Sequence, residues 1–187
     1  NLFPERFQNK TNGITPRLWL RCANPELAEL ISDHIGSDWI TDLDKLENLL
    51  ELASTESFQH QWQDVKKLKK QQLCEWILAT HRVELAVDSL FDVQVKRIHE
   101  YKRQLLNILH VVHLYDQLRN NPKMNVPKRT FLFGGKAAPG YYMAKQIIRL
   151  INDVAAKVNK DDEIEDRLRV LYVTNYGVSN SEKIIAA

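Results

Sequence analysis

Four cationic side chains lie close together in the middle of the chain. They are Lys96, Arg97, Lys102 and Arg103, which follow a strand-like segment and open a helix-like one. The amino end of a helix offers free N–H groups and the positive end of its dipole, and it therefore favours anions. Lysine and arginine can complete a phosphate pocket, the arginine through two parallel hydrogen bonds. The pattern predicts either a phosphate site at a strand end or a solvated basic turn with surface ion pairs.

A glycine-rich turn is the second candidate. Residues 134–140 read Gly-Gly-Lys-Ala-Ala-Pro-Gly and follow a short apolar strand. The segment is neither a GxGxxG fingerprint nor a phosphate loop, because no Lys-Ser or Lys-Thr pair follows its last glycine. Its glycines either make the turn or let the backbone come close to a ligand.

Three other features favour structural interpretations. The basic run over residues 66–70 lies on a helix with an apolar stripe, which is typical of a solvated face. His110 and His113 lack an HExxH frame, so we expect core or edge histidines rather than metal ligands. Cys22 and Cys74 are far apart and outside any CxxC motif, which predicts two reduced core cysteines of a cytoplasmic protein.

The elements that must position these residues fall into two parts. We expect residues 1–87 to form an entry loop and a helical segment. Asn24-Pro25 suits the start of a first helix and Gly36 its end. Thr41-x-x-Asp44 resembles a capping box before a second helix, and the apolar spacing predicts a long third helix from residue 54 or 55.

Residues 88–187 have a β-α-β-α-β order. The first crossover helix, 103–119, is apolar almost all round and is therefore predicted to be mostly buried. A second crossover helix follows the glycine turn, and Ser179-x-x-Glu182 resembles a capping box for a last one. The strands are expected at 90–95, 130–133 and 168–173.

Helical crossovers of this kind connect parallel strands. The fold class is therefore α/β: half of a doubly wound parallel sheet, preceded by a helical segment. Ligands of such sheets bind beyond the carboxyl ends of the strands, where the loops 96–102, 134–140 and 174–181 are expected.

Composition limits the function classes. The 187 residues suit one domain, or one domain with an appended segment. The net charge of +2 is too small to indicate nucleic acid by itself, and no apolar run approaches the roughly 20 residues that span a bilayer. The first residues have no signal-peptide form and no Met, and the last ones are apolar without a terminator, so we expect an internal piece of a longer protein.

Three blocks of the sequence resemble those of the α-glucan phosphorylases, the family that acts on glycogen, starch and maltodextrin. The first reads Phe-Gln-Asn-Lys-Thr-Asn-Gly-Ile-Thr-Pro-Arg-x-Trp over residues 7–19. The second, Ser-Leu-Phe-Asp-Val-Gln-Val-Lys-Arg-Ile-His-Glu-Tyr-Lys-Arg-Gln, covers residues 89–104, and the third covers 134–141. They occur in family order, with family-like spacing, across nearly the whole chain.

The resemblance implies a glycosyltransferase-B fold, with this piece at the start of its C-terminal domain. It implies reversible phosphorolysis of an α-1,4-glucan by orthophosphate, which releases glucose 1-phosphate. It also implies pyridoxal phosphate as cofactor, used through its 5′-phosphate as a proton relay beside the substrate phosphate. A missing N-terminal domain and a homodimeric full-length enzyme follow from the same resemblance, without nucleic-acid or membrane partners.

The resemblance also implies residue roles. Arg97 and Lys102 resemble the substrate-phosphate ligands, and Lys96 resembles a contact to the cofactor phosphate. Seven further positions resemble the surroundings of sugar, cofactor ring and entrance. These are Asn12 and Tyr101 for the glucosyl unit, Trp19 and Tyr176 for the walls of the cofactor pocket, and His99, Ala138 and Tyr141 for the rim of the entrance.

Some family features are not in this sequence. The segment Ser-Gly-Thr-Gly-Asn-Met-Lys, which carries the cofactor lysine, is expected after Ala187, so we expect the piece alone to be inactive. The glucan-side residues of the N-terminal domain are also absent, and Gly177 stands where the animal enzymes have Arg. The alternative function is a non-catalytic anion or nucleic-acid binding module built on 66–70 and 96–103. Nucleic-acid readers usually interleave aromatic and basic residues, whereas the two basic runs here are separate.

Overall fold

The computed structural model describes residues 3, 6 and 15–187 and divides the chain into two compact units. The amino-terminal unit comprises Asn1–Val65 with Ala186, and the sheet unit comprises Lys66–Ile185 with Ala187. The domain boundary expected at residue 87 lies between a helix and a strand, whereas the division by compactness falls inside that helix. The expected boundary stays a prediction.

The amino-terminal unit is helical. A π-helical turn, Arg17–Cys22, precedes helix α1, Pro25–Ile35. The Asn24 side chain accepts a hydrogen bond from the Leu27 N–H over 3.3 Å, and Gly36 follows the helix with φ of 79°. Both ends of α1 are therefore where the sequence predicts them. Its buried face packs against Trp39 in the 3₁₀ turn Asp38–Ile40.

The second predicted helix takes another form. Residues Leu43–Glu51 are a 3₁₀ helix, and the preceding Asp42 makes no side-chain cap. The capping box predicted for Thr41-x-x-Asp44 is wrong, because the helix begins at Leu43 with Asp42 in the N-cap position, and the Thr41 hydroxyl donates to the Asp38 carbonyl of the preceding turn. Cys22 is exposed and Cys74 is buried, so only the second is the core cysteine that was predicted. Both thiols are free.

Helix α2, Glu56–His81, runs through the division, and its second part belongs to the sheet unit. The basic run on it is not a fully solvated face. Lys69 is buried, and Lys70 donates to the Ser89 carbonyl over 2.6 Å with its ammonium 4.4 Å from the Phe91 ring centroid. Burial lowers the pKa of Lys70. The solvated-face prediction is therefore wrong for these two lysines, because Lys69 is buried and the long side chain of Lys70 reaches the start of the first strand.

The sheet unit has the predicted α/β order. Its strands are β1, Leu90–Val95, β2, Arg129–Gly134, and β3, Leu168–Val173. All three are parallel in the order β1-β2-β3, with Leu90 opposite Arg129 and Arg129 opposite Leu168. The crossover helices are α3, Gln104–Asn120, and α4, Tyr142–Val158, and α5, Val178–Ala186, follows β3.

Helices cover both faces of the sheet. Phe131 and Phe133 point into one core with residues of α3 and α4, while the intervening Leu132 packs with Leu73 of α2 and Ile184 of α5. This alternation along β2 is the period of two expected of a strand. A short 3₁₀ turn, Asp162–Ile164, joins α4 to β3.

Two predictions for these helices are wrong. Helix α3 is not buried all round, because only one face packs against the sheet and α4; Leu106 is 63% exposed. The other exposed apolar side chains of α3 are Leu105, Leu109 and Val112. Helix α5 begins at Val178 after Gly177, without a side-chain cap, so Ser179-x-x-Glu182 is not its capping box. The hydroxyl that bonds at this end is that of Ser181, which donates to the Gly177 carbonyl.

Candidate functional site

The loops after β1 and β2 remain hydrogen-bonded beyond the ends of the strands. The Lys96 N–H donates to the Gly134 carbonyl over 2.9 Å, and the Ile98 N–H donates to the Lys136 carbonyl over 3.2 Å. Ile98 is buried, so its side chain anchors the loop in the core. The expected cation-rich loop and glycine turn are therefore neighbours at the carboxyl edge of the sheet.

Gly135 makes this neighbourhood possible. A Cβ atom at position 135 would lie 2.1 Å from the Lys96 carbonyl oxygen and 3.0 Å from the Ile98 Cδ1 atom. The Tyr172 hydroxyl donates to the Gly135 carbonyl over 2.7 Å. Of the two alternatives for these glycines, a turn or a close approach to a ligand, neither describes Gly135, whose backbone closely approaches the neighbouring loop of the protein itself. A Cβ atom on Gly140, by contrast, would meet open space.

Three of the predicted site residues line one open cavity of about 810 Å³. They are Lys96, Tyr101 and Lys102, and Arg103 joins them. The rest of the lining comes from Gln94 in β1 and from Leu106, Asn107 and His110 in α3. Arg97 is exposed in the same loop but is not part of this lining.

The charges of this loop are not balanced by ion pairs within the described part of the chain. The ion pairs among the described residues join other side chains, and none of them includes Lys96, Arg97, Lys102 or Arg103. The carboxylate of Glu100, inside the loop, instead accepts a hydrogen bond from the Tyr141 hydroxyl over 2.6 Å. An alternative with surface ion pairs is therefore disfavoured, and the cluster is suited to an anion.

The predicted rim residues are also brought together. The ring of His99 lies 4.4 Å from that of Tyr101 and 4.9 Å from that of Tyr141, centroid to centroid. The Tyr141 N–H donates to the Ala138 carbonyl over 3.0 Å. The hydrogen bond to Glu100 raises the pKa of the Tyr141 hydroxyl. This arrangement joins the loop after β1 to the amino end of α4.

Side-chain amides hold the backbone of the cation-rich loop. Gln104, the first residue of α3, donates to the Arg97 carbonyl over 3.1 Å and accepts from the His99 N–H over 3.4 Å. Gln94 donates to the Lys102 carbonyl over 2.9 Å and accepts from the Asn107 amide over 3.0 Å.

The three amide residues Gln94, Gln104 and Asn107 were not predicted from the sequence. A neutral amide carries no signal of its own in a charge pattern. The sequence does place Gln94, Gln104 and Asn107 around a strand-to-helix junction, and this placement could have indicated a role in holding the loop.

The predicted residues that remain are Tyr176, Trp19 and Asn12. Tyr176 is half-buried, and a Cβ atom on Gly134 would lie 3.2 Å from its Cδ2 atom, so that glycine leaves room for the ring. Trp19 is half-buried in the π-helical turn of the amino-terminal unit. Asn12 lies outside the described residues. Among the described residues there is no cluster of three or more metal-ligating side chains, and none of their helices has the length and apolarity of a membrane span.

Comparison with known proteins decides the family. The carbohydrate phosphorylase family model matches residues 1–187, the whole of this sequence. The chain belongs to the carbohydrate phosphorylase family. The resemblance predicted from the three sequence blocks is thereby confirmed.

Relatives of this phosphorylase chain are closely similar over its whole length. It is 53% identical over 186 residues to the glycogen phosphorylase of Synechocystis sp. and 50% identical over 186 residues to the muscle form of Homo sapiens. It is 49% identical over 186 residues to the glycogen phosphorylase of Haemophilus influenzae. The chain spans 22% of the length of the first two relatives and 23% of the third.

Proposed function

We propose that this chain is the phosphate-binding part of an α-glucan phosphorylase. The complete protein would cleave α-1,4-glucans reversibly with orthophosphate and release glucose 1-phosphate. The observation that carries the proposal is the cation-rich loop 96–103, which meets the loop after β2 at the carboxyl edge of the sheet without ion pairs among the described residues. The similar relatives are named glycogen phosphorylases, which supports the same reaction class.

The loop cations have distinct proposed roles. Lys102 lines the cavity and would bind the substrate phosphate. Arg97 does not line the cavity but is exposed in the same loop, and it would be a second ligand of that phosphate. Lys96, next to the glycine turn, would contact a second phosphate, that of the cofactor. Two doubly charged phosphates about 5 Å apart, at an effective dielectric near 20, repel by on the order of ten kcal/mol. Several cations at one strand end are therefore needed to hold both.

The described residues fit pyridoxal phosphate at this edge. Lys96 donates its N–H to the Gly134 carbonyl and forms no ion pair with a described residue, while the Tyr176 ring lies against the same glycine. A cation after β1 and an aromatic wall after β3, on either side of the end of β2, match a phosphate attached to a flat ring. When bound, this cofactor supplies a phosphate that relays a proton beside the substrate phosphate. Trp19 would be a further wall of the pocket.

Sugar binding is proposed for other residues of the site. Tyr101 lines the cavity beside Lys102 and would hydrogen-bond the glucosyl unit, as would Asn12. His99, Ala138 and Tyr141 would form the rim of the entrance, in keeping with their contacts around Glu100. Clustered cations would lower the free energy of proton sharing between the phosphates, and general acid catalysis at the glucosidic oxygen requires that proton.

The fold and setting of the complete protein are part of this proposal. The three parallel strands with helices on both faces would be the beginning of the C-terminal domain of a glycosyltransferase-B fold. The facing N-terminal domain would supply the glucan-side residues, the cofactor lysine would come from elsewhere in the complete protein, and the enzyme would be a cytoplasmic homodimer. A nucleic-acid module is disfavoured because Lys69 and Lys70 are engaged within the sheet unit and do not extend a basic stripe.

Orthophosphate-dependent release of glucose 1-phosphate from maltodextrin tests the function. The complete protein, loaded with pyridoxal phosphate, is expected to release it, and omission of orthophosphate should abolish release. Oligonucleotide binding with a steep salt dependence, together with no glucose 1-phosphate, would contradict the proposal and favour the nucleic-acid alternative.

A further inference from the structure

We propose that Gln94, Gln104 and Asn107 are positioning residues that fix the backbone of the cation-rich loop for phosphate binding. The inference rests on the proposed function of that loop. These side chains would not contact the reacting atoms themselves. Each acts through the main chain of a cation-bearing residue or through another amide.

The first contact holds the beginning of the loop. Gln104 has no exposed surface, and its amide bridges Arg97 and His99 by donating to one main-chain carbonyl and accepting from one main-chain N–H. A buried amide is costly unless both its donor and its acceptor are used. Between the two bonded residues, Ile98 is anchored in the core and donates to the Lys136 carbonyl. The backbone from 97 to 99 is thus fixed on two sides.

The second contact holds the end of the loop. Gln94, on β1, donates its amide hydrogen to the Lys102 carbonyl, and its own carbonyl oxygen accepts from the Asn107 side chain on α3. Asn107 therefore sets the orientation of the Gln94 amide. Arg103, just after Lys102, has a φ of 65°, a left-handed conformation that is uncommon for a residue other than glycine. Such a backbone persists only where its surroundings hold it.

The two proposed substrate-phosphate residues share one feature. Arg97 and Lys102 each have their main-chain carbonyl bound by a buried or half-buried glutamine amide. Neither cationic group forms an ion pair with a described residue, and the Lys102 ammonium lies 5.5 Å from the Tyr101 ring centroid, while the main chain that carries both groups is held in place. A loop that is ordered before binding loses less conformational entropy when the anion binds, which strengthens binding without any new contact.

The test is steady-state kinetics of the complete phosphorylase with Gln104→Met, Gln94→Leu and Asn107→Ser. Each variant is expected to raise the KM for orthophosphate about tenfold while changing the KM for glucan less than about twofold. Gln117→Met is the matched control, because Gln117 is an exposed glutamine of the same helix. A merely structural role would lower the melting temperature and the active fraction but leave the orthophosphate KM of the remaining active enzyme unchanged.

A double substitution sharpens the result. In an Arg97→Ala background, Gln104→Met should have a smaller effect on orthophosphate KM than in the wild type, because the cation that it positions is gone. Wild-type activity with unchanged orthophosphate KM in all three single variants would overturn the positioning role and leave the phosphorylase function standing. Absence of glucose 1-phosphate release by the wild-type protein would overturn the function and this inference with it. Asn107→Ser, the mildest change, provides the measurement if a glutamine variant fails to fold.

Discussion

The backbone of Gly135 lies so close to the Lys96 carbonyl that a Cβ atom at position 135 would stand 2.1 Å from that oxygen. This contact joins the loop after β2 to the loop after β1, where the proposed phosphate cations lie. Since the obstacle is main chain, a rotamer change cannot relieve it.

Gly135→Ala is therefore expected to lower the free energy of unfolding of the chain by about 1–3 kcal/mol, the usual range for forced shifts in a packed region. In the complete protein it should also raise the orthophosphate KM, because the backbone of Lys96 must move. Gly140→Ala is the control, since its Cβ atom would meet open space. Urea denaturation of both variants measures the difference, and equal stabilities would contradict the importance of the contact.

Arg97→Ala should lower kcat/KM for orthophosphate at least about a hundredfold in the complete protein, the scale for losing one strong electrostatic contact in a closed site. Arg97→Lys should recover only part of this, because a lysine cannot make two parallel hydrogen bonds. Arg149→Ala, at an exposed position of α4, serves as the control and should leave the value nearly unchanged. Near-wild-type phosphorolysis in both Arg97 variants would remove Arg97 from the proposed site.

Acid should weaken the fold in part through Asp161. The Tyr115 hydroxyl and then the Arg119 guanidinium, which donates over 2.8 Å, lower the pKa of this carboxyl from 3.8 to about 2. Because the folded-state pKa lies below the unfolded value, the stabilisation is complete above pH 3.8 and is lost as the pH falls through about 2.

Asp161→Asn should therefore lower the free energy of unfolding at neutral pH. Between about pH 4 and pH 2, the unfolding free energy of this variant should fall less steeply with pH than that of the wild type. Urea denaturation at a series of pH values gives the slope. Asp153→Asn, an exposed carboxylate 3.6 Å from Arg149, is the control. An unchanged pH slope in Asp161→Asn would show that the hydrogen bonds to Asp161 do not contribute in this range.

Asn159→Ala should lower the free energy of unfolding by about 1–3 kcal/mol, the cost of leaving buried main-chain groups unpaired. The Asn159 amide donates to the Val170 carbonyl over 2.8 Å and accepts from the Val170 N–H over 3.0 Å. Asn152→Ala is the matched control, because that side chain makes one exposed bond within α4. Similar melting temperatures for the two variants would contradict the prediction.

Much of the fold could be predicted from the sequence, because its strands and helix ends depend on residues that are neighbours in the chain. The first strand was predicted from its alternation of apolar and polar residues, the other two from short apolar segments, and the ends of α1 from the specific chemistry of Asn24 and Gly36. The cation-rich loop was found because a strand-to-helix junction has a known relation to ligands. These predictions depend on neighbours in the chain.

The failures have two causes: the exact residue at which a helix begins, and contacts with residues far along the chain. Thr41 has a hydroxyl suited to a cap, but it belongs to the preceding turn, where it donates to the Asp38 carbonyl, and the helix begins two residues later at Leu43. Lys70 meets Ser89, 19 residues away, and no periodicity shows that contact. The exposed face of α3 shows the same limit, because an apolar side chain indicates that burial is favourable but not which surface provides it.

The Asn159 contact also limits how the sheet can associate. The Asn159 amide makes the two hydrogen bonds, to the N–H and the carbonyl of Val170, that an adjoining strand would make. These two groups are therefore not available for pairing with another polypeptide. Another strand could not pair with β3 at Val170 without displacing this amide, so edge-to-edge association is hindered on that side of β3.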